Sequence, residues 1–311
     1  MRLALSFSVA ILAAALTTAP PPAGRLVKLA FYNIESGKGA QGLRGHRVAF
    51  ANTSNCTNAS KPMNAWGAGV VQKTLTSAIG DDPAAVALGL AEAWQAVCAS
   101  PKHVRDVLGW NAASSVHNGV ALVARYGLRD ERWLPLDISH NRNPKDTAWV
   151  LHARVCLDER CGQTLPFYVA HWYGTGPDSV ATYETQAKQT VAFMQQTSGD
   201  EPHVLMGDLN VWEAAGPVCG KHPNGERPLQ VLRAAGYIDA WPKVHPRAPG
   251  FTGMVNRPCG TPEGNVTRRA DYAWSSPGLL PTAMERFGIA PPGDPSPSDH
   301  LGVIAAYDVP R

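Results

Sequence analysis

The sequence contains no C-x-x-C pair and no H-x-x-x-H spacing, so neither a thiolate zinc site nor a helical zinc motif is written in it. It has no internal repeat, and after residue 25 no linker or break in composition, which argues against a solenoid or a string of modules. Charge is scarce and nearly balanced: 17% of residues are charged and the net charge is +3. A balance that small gives no strong electrostatic case for nucleic acid or for an anionic membrane as partner. What is present, 311 residues with 44% hydrophobic, is the composition of an ordinary globular protein.

The first residues read MRLALSFSVAILAAALTTAPPPAG. Arg2 supplies a short positive region, and Leu3–Leu16 is an apolar stretch of fourteen residues, below the roughly 20 needed to cross a bilayer. Small residues Thr17, Thr18 and Ala19 follow, then three prolines. The layout is that of a secretory signal peptide over 1–19, a Pro-rich spacer over 20–25, and a single domain over 26–311, which predicts a secreted or periplasmic protein. A lipid anchor would need a cysteine at the cleavage point, and the first is Cys56. Losing the leader removes Arg2 alone among charged residues, so +3 becomes +2.

Six cysteines in an exported chain predict disulfides. Pairing neighbours along the chain gives Cys56–Cys98, Cys156–Cys161 and Cys219–Cys259, with VCLDERCG reading as a hairpin clipped across its turn. Three glycosylation sequons (Asn52, Asn55, Asn58) crowd the loop 36–62. Strand-like runs occur at 26–34, 84–94, 118–128, 148–157, 164–174 and 202–210, in RADYAWSS and in HLGVIAAYDV. Helical periodicity marks 66–79, 178–197 (Val180, Tyr183, Ala187, Val191 and Met194 on one face) and 227–236. Strands with a few helices between them predict one layered α/β domain.

The unusual feature is where acids and amides fall. Asn33 ends the first strand, Glu92 sits inside the second apolar run, His171 ends the fifth, and Asp208 and Asn210 close HVLMGDLN. Asp271 lies in RRADYAW, and Asp299 and His300 open the last strand. Acids in apolar runs are costly unless paired or bound to a metal, and strand ends are where layered α/β folds assemble sites. Taken singly, each residue reads first as a turn former, a cap, an ion-pair partner or a hydrogen-bonded core group; only at Ser298–Asp299–His300 are the two readings even. Together, oxygen donors with few imidazoles and no nearby sulfur favour a hard ion, Mg²⁺ or Mn²⁺ with Ca²⁺ as the alternative, and the natural partner of such an ion is a phosphate ester. A His beside an acid suits proton transfer near neutral pH.

In order along the chain, FYNIE, LAEAW, NGVALVARYGL, VAHWYG, MGDLN, RRADYAW and SDHLGV resemble the motif series of the endonuclease/exonuclease/phosphatase superfamily, from about Leu26 to the end. The resemblance implies an α/β fold of four layers, α/β/β/α, with two mixed β-sheets flanked by helices and a divalent metal at the rim. It implies that Asn33, Glu92 and Asp299 serve the metal, Glu92 foremost. Asp208 and Asn210 would orient the attacking water and hold the phosphate, and Asp271 would orient His300. His171 corresponds to the second histidine of the deoxyribonuclease and sphingomyelinase branches.

The sequence departs from relatives in two places: Ala91 stands before Glu92 where they usually carry Gln, and the segment before 148–157 lacks their phosphate-binding Arg, leaving Lys145 as the nearest cation. Arg125 reads as structural. The implied activity is a secreted, metal-dependent phosphodiesterase using in-line attack of water. Its substrate would be a nucleic acid, a phospholipid headgroup or a small phosphoester, and the chain would act as a monomer with no obligate protein partner. A sphingomyelinase-type phospholipase and a small-molecule phosphatase are the alternatives, the first drawing on nine tryptophans, with Trp172 and Trp212 beside site residues. An inactive exported binding module of the same fold is the non-enzyme alternative.

Overall fold

The apolar runs become the inner strands of two six-stranded sheets. The computed structural model describes residues 24–34, 68–93, 100–139, 147–174, 179–213, 225–253, 268–289 and 297–311. The elements in chain order are β1 (Arg25–Asn33), α1 (Ala68–Leu75) running into a π-helical turn (Thr76–Gly80), β2 (Ala85–Ala91), α2 (Pro101–Leu108), β3 (Ala112–Ala113), β4 (Ala121–Ala124), β5 (Leu128–Pro135), β6 (Trp149–Cys156), β7 (Thr164–His171), α3 (Ser179–Ser198), β8 (Val204–Asp208), α4 (Glu226–Ala234), β9 (Ile238–Asp239), α5 (Ala240–Val244), β10 (Asp271–Ser275), β11 (Pro281–Phe287) and β12 (Gly302–Val309). One sheet has the order β11-β12-β1-β2-β4-β3, the other β5-β6-β7-β8-β10-β9. Both are mixed: β1 and β2 run parallel, as do β7 and β8, and the remaining pairs are antiparallel. This is the four-layer α/β/β/α sandwich that the motif series implies.

Strand alternation decides what each layer holds. Val27, Leu29 and Phe31 of β1 face the other sheet, where they meet Leu151, Phe167, Val169 and Met206. The intervening Ala30 and Tyr32 face outward and are covered with Val71, Leu75, Val104 and Leu108 of α1 and α2. On the far side, Tyr168, Ala170 and Leu205 pack under Ala187, Met194, Leu229 and Leu232 of α3 and α4. The layer between the sheets is tight. Gly89 faces Phe31 and Val169, and a Cβ there would stand 2.7 Å from a Val169 methyl.

Local chemistry explains several boundaries. Ser100 caps α2, accepting from His103 N, with Pro101 at the first turn and Gly109 (φ 64°) closing it. Cys156 and Cys161 are disulfide-bonded, Cα–Cα 4.7 Å, across the β6–β7 hairpin. Cys56, Cys98, Cys219, Cys259, the sequons, Lys145 and the leader lie outside the described residues. Arg125 donates to the carbonyls of Ile79, Gly80, Asp82 and Ala85 and stacks on Trp110, a structural role throughout. The run 118–128 is shorter as a strand than its sequence suggests. Asn118 and Gly119, both at positive φ, form a tight turn between His117 and Val120; strand follows at Ala121–Ala124, and Leu128 already opens β5.

One outward-facing residue carries a pH consequence. His152 of β6 is buried against Tyr168 and Phe193. Burial first, then Arg154 and Arg132, hold its imidazole down to about 4 from 6.5. Above pH 6.5 the ring is neutral folded or unfolded and the stability is complete. As pH falls from 6.5 towards 4, the unfolded chain takes up a proton that the folded chain refuses, and stability is lost. By pH 4.5 that loss is about 2–3 kcal/mol. Urea unfolding at pH 7 and pH 4.5 checks this: His152→Leu should lose that much less stability on acidification than wild type, and equal losses would clear His152 of the effect.

Candidate active site

The inter-sheet face does not end in apolar residues. Continuing its alternation past Phe31 of β1, Val169 of β7, Met206 of β8 and Ala273 of β10 leads to Asn33, His171, Asp208 and Asp271. Register then aligns the second sheet's members into one lateral row: Asp271 pairs with Asp208, Asp208 with His171, and His171 with Trp149. Paired residues share a face about 4.5–5.5 Å apart, so three polar side chains and a tryptophan form a rank across β10, β8, β7 and β6. Gly207 allows the row to be this close: a Cβ there would lie 2.3 Å from the Ala170 carbonyl oxygen.

Asn33 ties the two sheets at this end. Its Nδ2 donates to Asp208 Oδ2 at 2.9 Å and to Glu92 Oε1 at 3.3 Å. Glu92 leaves β2 at φ 54°, a left-handed conformation that is strained for a Glu and that turns its carboxylate to the site. Gly119 presses against it: Ala93 N donates to Gly119 O at 2.8 Å, and a Cβ on Gly119 (φ 82°) would stand 3.0 Å from Glu92 Cα. Gly119→Ala is therefore expected to reduce stability by about 1–3 kcal/mol and turnover by about 10²-fold through displacement of Glu92. Thermal melts and steady-state kinetics would check both, and full activity in the variant would refute the contact's importance.

The SDH loop is anchored to the same strand end. Ser298 Oγ donates to Asn33 O at 2.7 Å and accepts from His300 N at 3.1 Å. His300 Nδ1 is 2.8 Å from Asp271 Oδ2, while Nε2 lies 3.7 Å from Asp208 Oδ2 and 3.9 Å from Asp299 Oδ1. Burial alone pulls this imidazole down, but Asp271, Asp208 and Asp299 outweigh it and hold His300 well above the ordinary imidazole range. Burial raises the Asp271 carboxyl too, yet with the imidazole at 2.8 Å and three acids around that ring, the pair is best described as imidazolium and carboxylate. Asp271 is fixed in turn by Thr252, whose Oγ1 accepts from Ala270 N and Asp271 N, each at 3.1 Å. Thr252 O accepts from Leu301 N, so one residue braces both halves of the dyad.

On the opposite flank, His171 Nε2 is 3.7 Å from Asp208 Oδ2. Asn210 (φ 51°) donates its backbone N–H to Asp208 Oδ1 at 2.9 Å and its Nδ2 to Trp172 O at 2.9 Å. The segment after β7 is held by α3, where Gln186 accepts from Tyr173 N and donates to Tyr173 O and Asp137 O.

All eight residues singled out in the sequence thus meet at one end of the sandwich. Asn33, Asp208, Asp271 and His300 form a buried floor, and Glu92, His171, Asn210 and Asp299 a half-buried rim. Thr252 and Gln186 were not singled out, because an isolated Thr in a loop and one Gln in a helix carry no spacing signal. Ligand atoms of Asp208, Asp271 and His300 lie within 4.8 Å of one another. With His300 Nδ1 hydrogen-bonded to Asp271, that trio suits proton transfer, while the accessible oxygen donors at the rim, Glu92 and Asp299, suit a cation.

No curated protein shows significant sequence similarity to the chain. Solved structures share its fold at low identity. A mannosyl-6-phosphatase from Bacteroides thetaiotaomicron VPI-5482 aligns over 90% of this chain and 99% of its own, with 15% identity and a TM-score of 0.61. An endonuclease/exonuclease/phosphatase from Beutenbergia cavernae DSM 12333 aligns over 92% and 72%, with 18% identity and a TM-score of 0.57. D. rerio TDP2 complexed with single-strand DNA product aligns over 91% and 99%, with 13% identity and a TM-score of 0.57. A sequence model of the Endonuclease/Exonuclease/phosphatase family matches residues 32–300, from the second-to-last residue of β1 to the histidine of the dyad. The chain belongs to the endonuclease/exonuclease/phosphatase family.

Proposed function

We propose that the protein is an exported, divalent-metal-dependent phosphodiesterase. The observation that carries the reading is the His300–Asp271 dyad facing Asp208 at the end of a sandwich whose rim presents Glu92 and Asp299. The donor chemistry fits a hard divalent ion. Four acids converge, yet among the described residues the ion pairs of Asp208, Asp271 and Asp299 are to histidines, and Glu92 takes the Asn33 amide. Acids gathered with no Lys or Arg paired to them among the described residues call for a cation. Asn33, Glu92 and Asp299 would hold it, Mg²⁺ or Mn²⁺ by their oxygen donors, with Ca²⁺ as the alternative. Such an ion, when bound, neutralises charge on the phosphoryl oxygens.

The chain's own residues supply the rest. Asp208, pinned at Oδ1 by Asn210 N–H, orients a water for attack on phosphorus opposite the ester bond and takes up the proton that this water releases. As the new oxygen–phosphorus bond forms and the ester bond breaks, His300 delivers its Nε2 proton to the leaving oxygen, and Asp271 keeps the ring in register. Export rests on the leader-like residues 1–19. A second reading, a small-molecule phosphatase, draws on the likeness to the mannosyl-6-phosphatase. An inactive binding module is disfavoured, because all eight side chains stand in one connected cluster.

The test is turnover by the purified protein with Mg²⁺ or with chelator on plasmid DNA, sphingomyelin, an aryl phosphodiester and an aryl phosphomonoester. Hydrolysis of at least one diester, abolished by chelator, is expected. Preference for the monoester would favour the second reading. No turnover on any, with no calorimetric Mg²⁺ binding, would overturn the enzymatic reading.

A further inference from the structure

Two consecutive arginines precede Asp271, and the fold treats them in opposite ways. Arg269 is committed to structure: it makes two hydrogen bonds to the buried Asp239, at 3.1 and 2.6 Å, and lies over the Tyr272 ring. Arg268 pairs with no carboxylate among the described residues, and its Nε is buried without a hydrogen-bond partner. Its guanidinium lies over the Trp212 ring, 4.6 Å from the centroid, and Trp212 is two residues beyond Asn210.

The backbone fixes which way this side chain stands. Gly253 bridges Arg268 on one side and His300 on the other. Laterally paired residues project to the same face, so Arg268 and His300 stand on one side, two lateral steps or about 10 Å apart at Cα. Between them Gly253 has no side chain, and a Cβ there would come within 3.5 Å of Arg268 Cγ and Nε. A second reporter agrees. Burial drives the Tyr183 phenol up, Asp208 adds to the rise, and the Gly174 carbonyl and Arg268 oppose it, so the hydroxyl feels charge of both signs. The row that ends at Trp149 places no cation beside His171. The acidic site therefore has a guanidinium in the wall beyond His300, seated over an indole.

We propose that Arg268 is the anion-recognition residue of this site, gripping phosphate oxygens of the substrate through its guanidinium fork. The inference rests on the phosphoester reading above. A guanidinium presents paired N–H donors matched to phosphate, and stacking on Trp212 fixes its plane before substrate arrives. Two sources share this chemistry: oxygens of the scissile phosphate itself, or the neighbouring phosphate of a polyanion.

Kinetics of wild type, Arg268→Met (stem kept over Trp212) and Arg268→Lys (charge kept, fork lost) decide it, using an aryl phosphodiester with one phosphate and a short oligonucleotide with several. Arg268→Met should raise KM about tenfold or more, with a smaller change in kcat, and free guanidinium should restore part of the loss. A rise on both substrates assigns the grip to the scissile phosphate; a rise on the oligonucleotide alone assigns it to a neighbouring one. Calorimetry with inorganic phosphate in the presence of Mg²⁺ gives a readout without turnover, and both variants should bind more weakly than wild type. If wild type is active and both variants keep its KM and its phosphate affinity, Arg268 has no such role and the proposed function stands. If wild type neither turns over esters nor binds phosphate, both readings fall. Should Arg268→Met fail to fold, Arg268→Lys carries the same comparison.

Discussion

His300→Ala is expected to lower kcat by about 10³-fold on any diester the wild type cleaves, with a much smaller change in KM. Among the described residues the ring is the one group that approaches Asp271, Asp208 and Asp299 together, and its Nε2 is the proton donor of the proposed step. The variant also leaves Asp271, which is fully buried, without its imidazole, costing about 1–3 kcal/mol of stability. Loss of activity could then be mistaken for loss of fold. His300→Gln separates the two: an amide can still donate to Asp271 but cannot titrate, so it should recover most of the melting temperature and none of the turnover. Wild-type kcat in His300→Gln would show that the dyad moves no proton.

Glu92→Gln has the next largest expected effect, again about 10³-fold in kcat/KM, but with a different signature. Shape and the Asn33 hydrogen bond are preserved, so the melting temperature should stay close to that of wild type. What changes is charge at the rim, and Mg²⁺ affinity should fall by about 10- to 100-fold in calorimetry. Raising Mg²⁺ should recover part of the activity of Glu92→Gln and none of that of His300→Ala. Unaltered Mg²⁺ binding in the Gln variant would remove Glu92 from the metal site and shift attention to Asp299.

The candidate site residues were legible because a polar group is conspicuous in an apolar run. Asn33, Asp208 and Asp271 each occupy the next inward position of a buried strand, where a hydrophobic residue would otherwise be. Elements whose pattern is disturbed were not legible. β5 reads LRDERWLP and is largely exposed at a sheet edge, so its charges masked a strand. β11 lacks clean alternation because its register shifts between Pro281 and Ala283. The 84–94 run ends as a strand at Ala91, because Glu92 turns to positive φ, and that departure aims its carboxylate at the candidate site. Arg268 was invisible for another reason. Nothing in RRADYAW tells which of two arginines is paired; only the placement of Asp239 does.

The bond from Asn33 to Asp208 crosses from one sheet to the other. Its length is governed deeper in the molecule, where Phe31, Gly89, Val169 and Met206 fill the gap between the sheets. Those residues never approach a substrate, yet together they act as a shim. Thicken it and the two sheets part at the rim, drawing Asn33 and Glu92 away from Asp208; thin it and the acids crowd. Because close-packed interiors transmit small volume changes rather than absorb them, hydrocarbon volume between the sheets sets the spacing of the polar groups at their edge.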